Sequence, residues 1–194
     1  MSTAKTGLRL NEILVNKSRE WFRELEVLCC LKIPKCLQFD YNIILTTIHR
    51  FVDASQEAYG SVVHARHLYK NGFVSVRLIA AKSRVAPLTS ISIPRLELMA
   101  AALGLRLALS VRQALEVSEE HLVFWSESMN VVHWVRGKSR DFKPFVANRI
   151  GEIYRSSNPK QWRHVPTNVN PADLLSRGKN VDQLQSNFIW WNCP

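Results

Sequence analysis

Four acidic residues occupy positions from which they could hold a divalent metal ion together. Asp53 ends an apolar run that begins at Ile43 and has the composition of a β-strand. Glu97 falls in the first turn of a predicted helix, and Glu127 directly follows a short apolar strand. Asp173 falls in the first turn of a last small helix. If the two strands are neighbours, their ends and both helix starts can face one another, so we expect the four carboxylates to share one pocket.

Such a pocket would be suited to phosphodiester chemistry. Four carboxylates at one place repel each other and, without a cation, take up protons. Hard oxygen ligands select Mg²⁺ or Mn²⁺, and two such ions about 4 Å apart can activate a water and stabilise a leaving oxygen. Each acid alone has an ordinary explanation as a turn former or as a complement to a helix dipole. The prediction of a two-metal site therefore depends on the joint pattern.

Three antiparallel strands are predicted to lead into this site. Ile43–Asp53, Tyr59–Leu68 and Phe73–Lys82 have strand composition, and Asn71-Gly72 is a strong hairpin signal because both residues tolerate positive φ. The third strand alternates apolar residues with Ser75, Arg77 and Ile79, which predicts one buried face.

The rest of the chain predicts alternating helices and strands. Pro94 opens a helix that runs to about Glu116 and is apolar on more than one side. Later elements are a central strand at Leu122–Trp125, a helix capped by Ser126, a helix opened by Pro144, a strand at Gln161–Val165, and a helix with Asn170-Pro171 as cap and first turn that Gly178 ends. The order is βββαβααβα.

The two ends of the chain lie outside this pattern. Residues 1–41 contain one amphipathic helix from Ser18 to about Leu28, followed by a segment that Pro34 interrupts. We expect the organised domain to span residues 42–178 and a tail to span 179–194, with Trp190 and Trp191 as its apolar anchor.

The composition favours a nucleic-acid partner. Lys and Arg outnumber Asp and Glu by 26 to 16 in 194 residues, giving a formal charge of +10, and such an excess commonly marks a surface for polyanions. No secretory signal or apolar run of membrane-spanning length occurs, and the four cysteines lack zinc-ligand spacing. We expect a soluble protein with reduced thiols inside the cell, in the cytoplasm or the nucleus, with no membrane partner.

Several residues beside the acids could contact phosphates. Ser55 follows Asp53 and Ser128 follows Glu127, and neither serine has a base at the spacing that a nucleophile requires. Nucleic-acid contacts are therefore predicted for Ser55 and Ser128, together with the basic residues Lys82, Arg84 and Arg95. A packed or surface role is favoured for His164 over a proton-shuttling one.

A resemblance to a known family adds to this interpretation. Long motifs occur in order: Phe51-Val-Asp-Ala-Ser, Ala81-Lys-Ser-Arg-Val-Ala-Pro, Pro94-Arg-Leu-Glu-Leu, Trp125-Ser-Glu-Ser, Arg163-His-Val-Pro and Asn170-Pro-Ala-Asp-Leu-Leu-Ser-Arg-Gly. Over about residues 20–190 the chain resembles the ribonuclease H region of BEL/Pao-type LTR retrotransposon polyproteins. The resemblance implies an α/β, RNase H-like mixed five-stranded sheet, three antiparallel strands followed by parallel additions, with helices on both faces. It also implies that residues 1–41 are the end of a reverse-transcriptase segment.

The same resemblance implies an activity and a set of ligands. Asp53, Glu97, the residue at 127 and Asp173 would bind two Mg²⁺ or Mn²⁺ ions and cleave the RNA strand of an RNA–DNA hybrid. The family pattern has aspartate where this chain has Glu127, and the extra methylene displaces the carboxylate by about a bond length where Mg²⁺ demands near-ideal geometry. Two alternatives stay open: a nucleic-acid-binding module without catalysis, and a structural subdomain of a reverse transcriptase. An integrase or a resolvase is a weaker match.

Overall fold

A five-stranded mixed sheet in the order β3-β2-β1-β4-β5 forms the centre of the molecule. The structure, a computed structural model, describes residues 12–29, 31–33, 36–37, 42–137 and 141–194. The strands are β1 (Ile43–Ala54), β2 (Ala58–Tyr69), β3 (Val74–Val85), β4 (Leu122–Ser126) and β5 (Trp162–His164). β1 to β3 are antiparallel, β4 runs parallel to β1, and β5 runs parallel to β4. The predicted fold class is confirmed.

Helices cover both faces of this sheet, also as expected. They are α1 (Glu12–Leu28), α2 (Ile93–Ala114), α3 (Met129–Arg136), α4 (Pro144–Ser156), α5 (Asp173–Arg177), α6 (Val181–Gln185) and α7 (Phe188–Asn192). The main core packs α2, α3 and α4 on one face, and a smaller cluster joins α5 and α7 to the other face. No helix within the described ranges is long and apolar enough to cross a lipid bilayer.

The central strand β1 serves both cores because successive side chains point to opposite faces. Ile48 and Val52 pack towards α2, whereas Phe51 packs with Ala172 and Trp190 on the other face. Asp53 belongs to the same face as Phe51, two residues closer to the end of the strand. The acid is thereby carried at the strand end that adjoins α5.

The prediction of one buried face for β3 is wrong. Val63 pairs with Ala80 and His64 pairs with Leu78, so Ile79 is an extra residue in β3. A bulge of this kind reverses the alternation, and Leu78 packs with the α5–α7 cluster while Ile79 and Ala80 pack with the main core. The alternating sequence did not reveal the extra residue.

The hairpin between β2 and β3 is confirmed, but its turn differs from expectation. Gly72 has φ of 80°, whereas Asn71 is not among the described residues with positive φ. The Gly72 amide donates to the Tyr69 carbonyl at 2.9 Å, and the Tyr69 amide donates to the Phe73 carbonyl at 3.0 Å. Only the glycine needs the left-handed conformation in this longer loop.

Three predicted helix starts are shifted. The cap of α3 is Ser128, whose side chain accepts from the Val131 amide, and not Ser126. α5 is capped by Ala172 and begins at Asp173, because Asn170 uses its side chain elsewhere, as described below. α2 begins at Ile93, which places Glu97 just beyond its first turn.

The N-terminal helix begins at Glu12, earlier than the predicted Ser18. Residues 1–11 and most of the predicted linker at Lys32–Tyr41 lie outside the described residues. α6 and α7 follow α5, and the side chain of Trp190 is buried against the sheet, in agreement with the expected apolar anchor. The proposed division into residues 1–41, 42–178 and 179–194 stays a prediction.

Candidate active site

Asp53 is a buried carboxylate at the end of the central strand. Its side chain is 2 % exposed, and its Oδ2 accepts a hydrogen bond from the Ser176 hydroxyl of α5. The other oxygen, Oδ1, has no hydrogen-bond partner among the described residues. An ionised carboxylate with one unused oxygen is costly to bury unless a cation or a proton compensates it.

The electrostatic environment of Asp53 favours its neutral form. Burial, together with the charges of Glu127 and Asp173, raises the pKa of Asp53 to about 7, against the Ser176 hydrogen bond that lowers it. Asp53 therefore lies within electrostatic range of two of the other predicted ligands.

Space for this arrangement is made by Gly60, which pairs with Asp53 in the sheet. A Cβ at Gly60 would lie 2.9 Å from the Cβ of Leu175 and 3.1 Å from the carbonyl oxygen of Lys82. Any larger residue would push α5 away from the strand, and the Ser176 hydroxyl would move with it.

Glu127 follows β4 and is held by Asn170. The Asn170 amide nitrogen donates to the Val52 carbonyl at 3.0 Å and lies 3.4 Å from Oε2 of Glu127. Asn170 is buried, and its side-chain oxygen accepts from the Ala172 amide. One side chain thus ties the end of β1 to Glu127 and to the start of α5.

Glu97 and Asp173 complete the set from two helices. Glu97 accepts a hydrogen bond from the hydroxyl of Ser128; burial raises the pKa of Glu97, the Ser128 bond lowers it, and the Asp53 charge raises it. Asp173 accepts from Arg177, one helical turn later, with 2.5 Å between Oδ1 and Nε. The Asp173 side chain is 27 % exposed, so this acid borders the solvent.

The four acids therefore lie at one end of the sheet, with Asp53 in electrostatic contact with each of the others. Every one of them is also bonded to a donor of its own, from Ser176, Asn170, Ser128 or Arg177. Within the part of the chain that the structure describes, no three His, Cys, Asp or Glu side chains are gathered closely enough to hold one metal ion.

The predicted nucleic-acid contacts divide into two groups. Lys82, Arg84 and Arg95 are exposed, and we call these three residues the rim. Ser55 donates to the Ser176 carbonyl at 2.6 Å and accepts from backbone amides of its own turn, and Ser128 caps α3. The two serine hydroxyls are engaged within the protein, whereas the three basic side chains face the solvent.

A cleft that we call the arginine groove adjoins this rim. It has a volume of ≈ 290 Å³, and its basic residues are Arg84, Arg106 and Arg149. Arg106 forms a two-point ion pair with Glu152 at 2.6 and 2.8 Å. The guanidinium of Arg149 lies 3.6 Å from the ring centroid of Phe145. The groove carries more positive than negative side chains.

Three residues that hold the acids, Asn170, Ser176 and Arg177, had no predicted role in the site. All belong to the Asn170–Gly178 motif, and their spacing relative to Asp173 is three or four residues. Spacing of that kind puts side chains on one helical face, which could have identified Ser176 and Arg177. The link from Asn170 to β1 crosses 118 residues, and no local pattern reveals it.

Comparison with known protein families places this fold and these residues in context. A family model described as "Pao retrotransposon-like RNaseH-like domain" matches residues 4–128, which is more than half of the chain. The chain belongs to this family. The resemblance inferred from the motifs is thereby confirmed, and so is the assignment of an RNase H-like, retrotransposon-type domain. No curated protein matches the sequence.

Solved structures similar to this Pao-family domain include several ribonucleases H. RNase H1 from the archaeon Halobacterium salinarum is 13 % identical, with a TM-score of 0.41, and the match covers 68 % of this chain and 94 % of that one. LC11-RNase H1, determined in complex with an RNA/DNA hybrid, is 13 % identical with a TM-score of 0.44, over 72 % and 99 % of the two chains. The N-terminal RNase H domain of a Mycobacterium tuberculosis protein is 13 % identical with a TM-score of 0.42, over 69 % and 92 %.

Proposed function

We propose that this Pao-family domain is a metal-dependent ribonuclease that cleaves the RNA strand of RNA–DNA hybrids. The observation that carries the proposal is the cluster of Asp53, Glu97, Glu127 and Asp173 at the end of the central strands, together with membership of an RNase H-like family. The exposed basic residues beside the cluster suit a polyanionic substrate.

The donor chemistry of the four acids suits a divalent cation, although among the described residues no three of these side chains are gathered closely enough to hold one ion as they stand. All four candidate ligands are carboxylates, the hard oxygen donors that Mg²⁺ and Mn²⁺ prefer, and the buried Oδ1 of Asp53 lacks a partner. When bound, two such ions would supply an activated water and neutralise the charge that develops on the leaving oxygen. Asp53, Glu97, Glu127 and Asp173 would hold them.

The chain's own residues bind and orient the substrate. Lys82, Arg84 and Arg95 contact backbone phosphates on the rim, and the arginine groove accepts a neighbouring phosphate. Asn170 and Ser176 fix Glu127 and Asp53 against β1. Because Asp53 is neutral over much of the acidic range, its proton must leave before a cation can bind, and we expect activity to fall as the pH drops below about 7.

Glu127 provides the sharpest test of this function. A glutamate reaches farther than the aspartate of the family pattern, so we expect weak cleavage with Mg²⁺ and stronger cleavage with Mn²⁺, whose coordination is less exacting. Glu127→Asp should raise cleavage of the RNA strand, by about 10-fold or more if the carboxylate is misplaced by a bond length. Asp53→Asn should abolish cleavage, and the double variant should be inactive. The measurement is a gel assay with a hybrid labelled on the RNA strand.

A lower rate for Glu127→Asp would contradict this explanation, since the site would then be built around the longer side chain. The matched control is Glu120→Asp, the same change at an exposed residue before β4, which should leave the rate unchanged. If no variant cleaves the RNA strand while hybrid binding stays intact, the second candidate is favoured, a nucleic-acid-binding module without catalysis. That candidate is supported by the protein donors that already engage each of the four acids.

Hybrid binding can be tested apart from cleavage. Because the rim acts on phosphates, affinity should fall steeply as salt rises. Replacing Arg84 and Arg95 by alanine should weaken binding and flatten the salt dependence, each lost phosphate contact reducing the log–log slope by about 0.7 to 0.9. Lys160→Ala is the control, because Lys160 is exposed before β5, at the opposite end of the sheet. Affinity that does not change with salt would support the structural-subdomain alternative.

A reverse-transcriptase domain is the protein partner that we propose. α1 has no buried residue, and its apolar side chains Trp21 and Phe22 are 57 % and 63 % exposed. Exposed aromatic residues at this density mark an interaction surface. Trp21→Glu with Phe22→Glu should abolish copurification with the reverse transcriptase of the same polyprotein while leaving the melting temperature of the domain unchanged. Unchanged copurification would disprove this docking mode.

A further inference from the structure

A second cavity, which takes no part in the proposed cleavage, lies on the same face of the sheet as Asp53. Its volume is ≈ 410 Å³, within the range of small-molecule sites. The lining consists of side chains from β1, β2, β3 and β4, from the segment after β5 and from the C-terminal residues. Phe51 closes the cavity towards Asp53, because it is packed with Val165, Ala172 and Trp190. A ligand here would be separate from the acids.

Three nearly parallel rings form one wall of this cavity. The Trp125 ring lies at 8° to Phe51 and at 16° to His49, with centroids 5.9 and 6.2 Å apart. The indole nitrogen of Trp125 donates to Nδ1 of His49 at 3.1 Å, which fixes both rings. A flat aromatic ligand can extend such a stack with little loss of conformational entropy.

The charge of the lining selects for an anion. Arg66 lines the cavity, and none of the residues that line it is acidic. Its positive charge acts on both His49 and Cys193, which places the guanidinium beside the aromatic wall. The guanidinium of Arg163 lies 5.6 Å from the centroid of Trp125 and adds a second positive charge nearby.

We propose that this cavity binds a free mononucleotide, whose base stacks along the Trp125 wall while its phosphate pairs with Arg66. The volume, the parallel rings and the arginine each match one part of that ligand. The inference is independent of the ribonuclease activity, because none of these residues holds the acid cluster.

Isothermal titration calorimetry of the full chain with AMP, in EDTA, tests the proposal. The chelator removes divalent ions, so nucleotide held through metal at the acid cluster does not contribute. We expect saturable one-to-one binding with a Kd below about 1 mM, and adenosine, which lacks the phosphate, should bind at least about 10-fold more weakly. No saturation with AMP, or equal affinity for adenosine, would overturn the proposal.

Variants locate the site. Arg66→Gln should weaken AMP binding about 10-fold, as expected for loss of a charged hydrogen bond, whereas Arg155→Gln, on the exposed side of α4, should have no effect. Val76→Trp should fill the cavity and abolish binding, with thermal melting used to confirm that the variant folds. Asp53→Asn should bind AMP like the wild type. If binding survives Arg66→Gln and Val76→Trp, or is lost in Asp53→Asn, the assignment to this cavity is wrong.

Discussion

The strand β1 carries a buried charge on each of its faces, and the two are held in opposite ways. Arg50 is 0 % exposed on the face that packs against α2, and Asp53 is 2 % exposed on the other face, three residues later. Arg50 is surrounded by aromatic rings and has no ion pair with any described residue. Asp53 is surrounded by other acids.

The charge of Arg50 is compensated from within the core by rings and one carbonyl, although its Nε and Nη2 have no hydrogen-bond partner among the described residues. Its guanidinium lies 4.7 Å from the centroid of Phe124 and 4.6 Å from that of Trp162, and Nη1 donates to the Ala101 carbonyl at 3.3 Å. Burial lowers the pKa of Arg50, but a guanidinium retains its proton at neutral pH. The contacts that offset its desolvation are part of the fold, and no ligand can reach it.

The charge of Asp53 is not satisfied by the fold. Its neighbours Glu127 and Asp173 repel it, and one of its oxygens has no donor in the described part of the chain. Only a proton or a cation from outside can offset that cost. The comparison shows why a buried charge is not by itself a functional signal, since it is the sign of the surrounding groups that distinguishes a packing residue from a binding residue.

The largest expected effect on the free energy of unfolding comes from Arg50, on the face of β1 that packs against α2. Arg50→Ala should lower the free energy of unfolding by about 3 kcal/mol or more, because it leaves a cavity beside the stacked rings of Phe124 and Trp162. Arg50→Met, which restores most of the volume without the charge, should cost less than half as much. Urea denaturation at pH 7 measures both. An equal loss for the two variants would mean that the charge–ring contacts matter more than the volume.

A smaller loss is expected at Gly104, which leaves room for Arg50. A Cβ there would lie 2.5 Å from Cδ of Arg50 and 2.5 Å from the hydroxyl oxygen of Ser61. Gly104→Ala should therefore destabilise the domain by about 1–3 kcal/mol, and by less in the Arg50→Met background. Gly151→Ala is the matched control, because nothing lies within 4 Å of its Cβ and alanine favours a helix. A neutral Gly104→Ala would contradict the close fit.

Replacing Asp53 is expected to raise the free energy of unfolding, unlike the substitutions at Arg50 and Gly104. Its pKa is about 7 in the folded protein and near 3.8 when unfolded, so between these values the folded state binds more protons and stability falls as the pH rises. The penalty is complete above pH 7 and absent below pH 4. Asp53→Asn should raise the free energy of unfolding at pH 8 by about 1–2 kcal/mol, after allowance for solvent screening, and change little at pH 3.5.

Thermal melting in EDTA at the two pH values measures this difference. Ser83→Ala, at an exposed position in β3, is a control for substitution without a change of charge. A loss of stability for Asp53→Asn at pH 8 would mean that the fold depends on the carboxylate. Asp53 would then resemble Arg50, and the contrast between the two faces would fail.

The sequence alone determined the order of elements and the place of the acids along them. Periodicity, proline at helix starts and the glycine in the hairpin are local signals. They predicted β1 to β5 and the helices opened by Pro94 and Pro144, with only small errors in where each element begins and ends. Asp53, Glu97, Glu127 and Asp173 were predicted together because strand ends and helix starts can be read from short windows. The family motifs gave the fold class.

Tertiary structure decided what surrounds those acids. The Asn170 link to Val52, the Ser176 bond to Asp53 and the Ser128 bond to Glu97 join residues 31 to 123 positions apart, and no short pattern encodes them. The extra residue in β3 and the burial of Arg50 under Gly104 depend on how α2 packs on the sheet. Local sequence fixes backbone geometry through a few neighbouring residues, whereas burial and charge environment depend on elements that meet only when the chain folds.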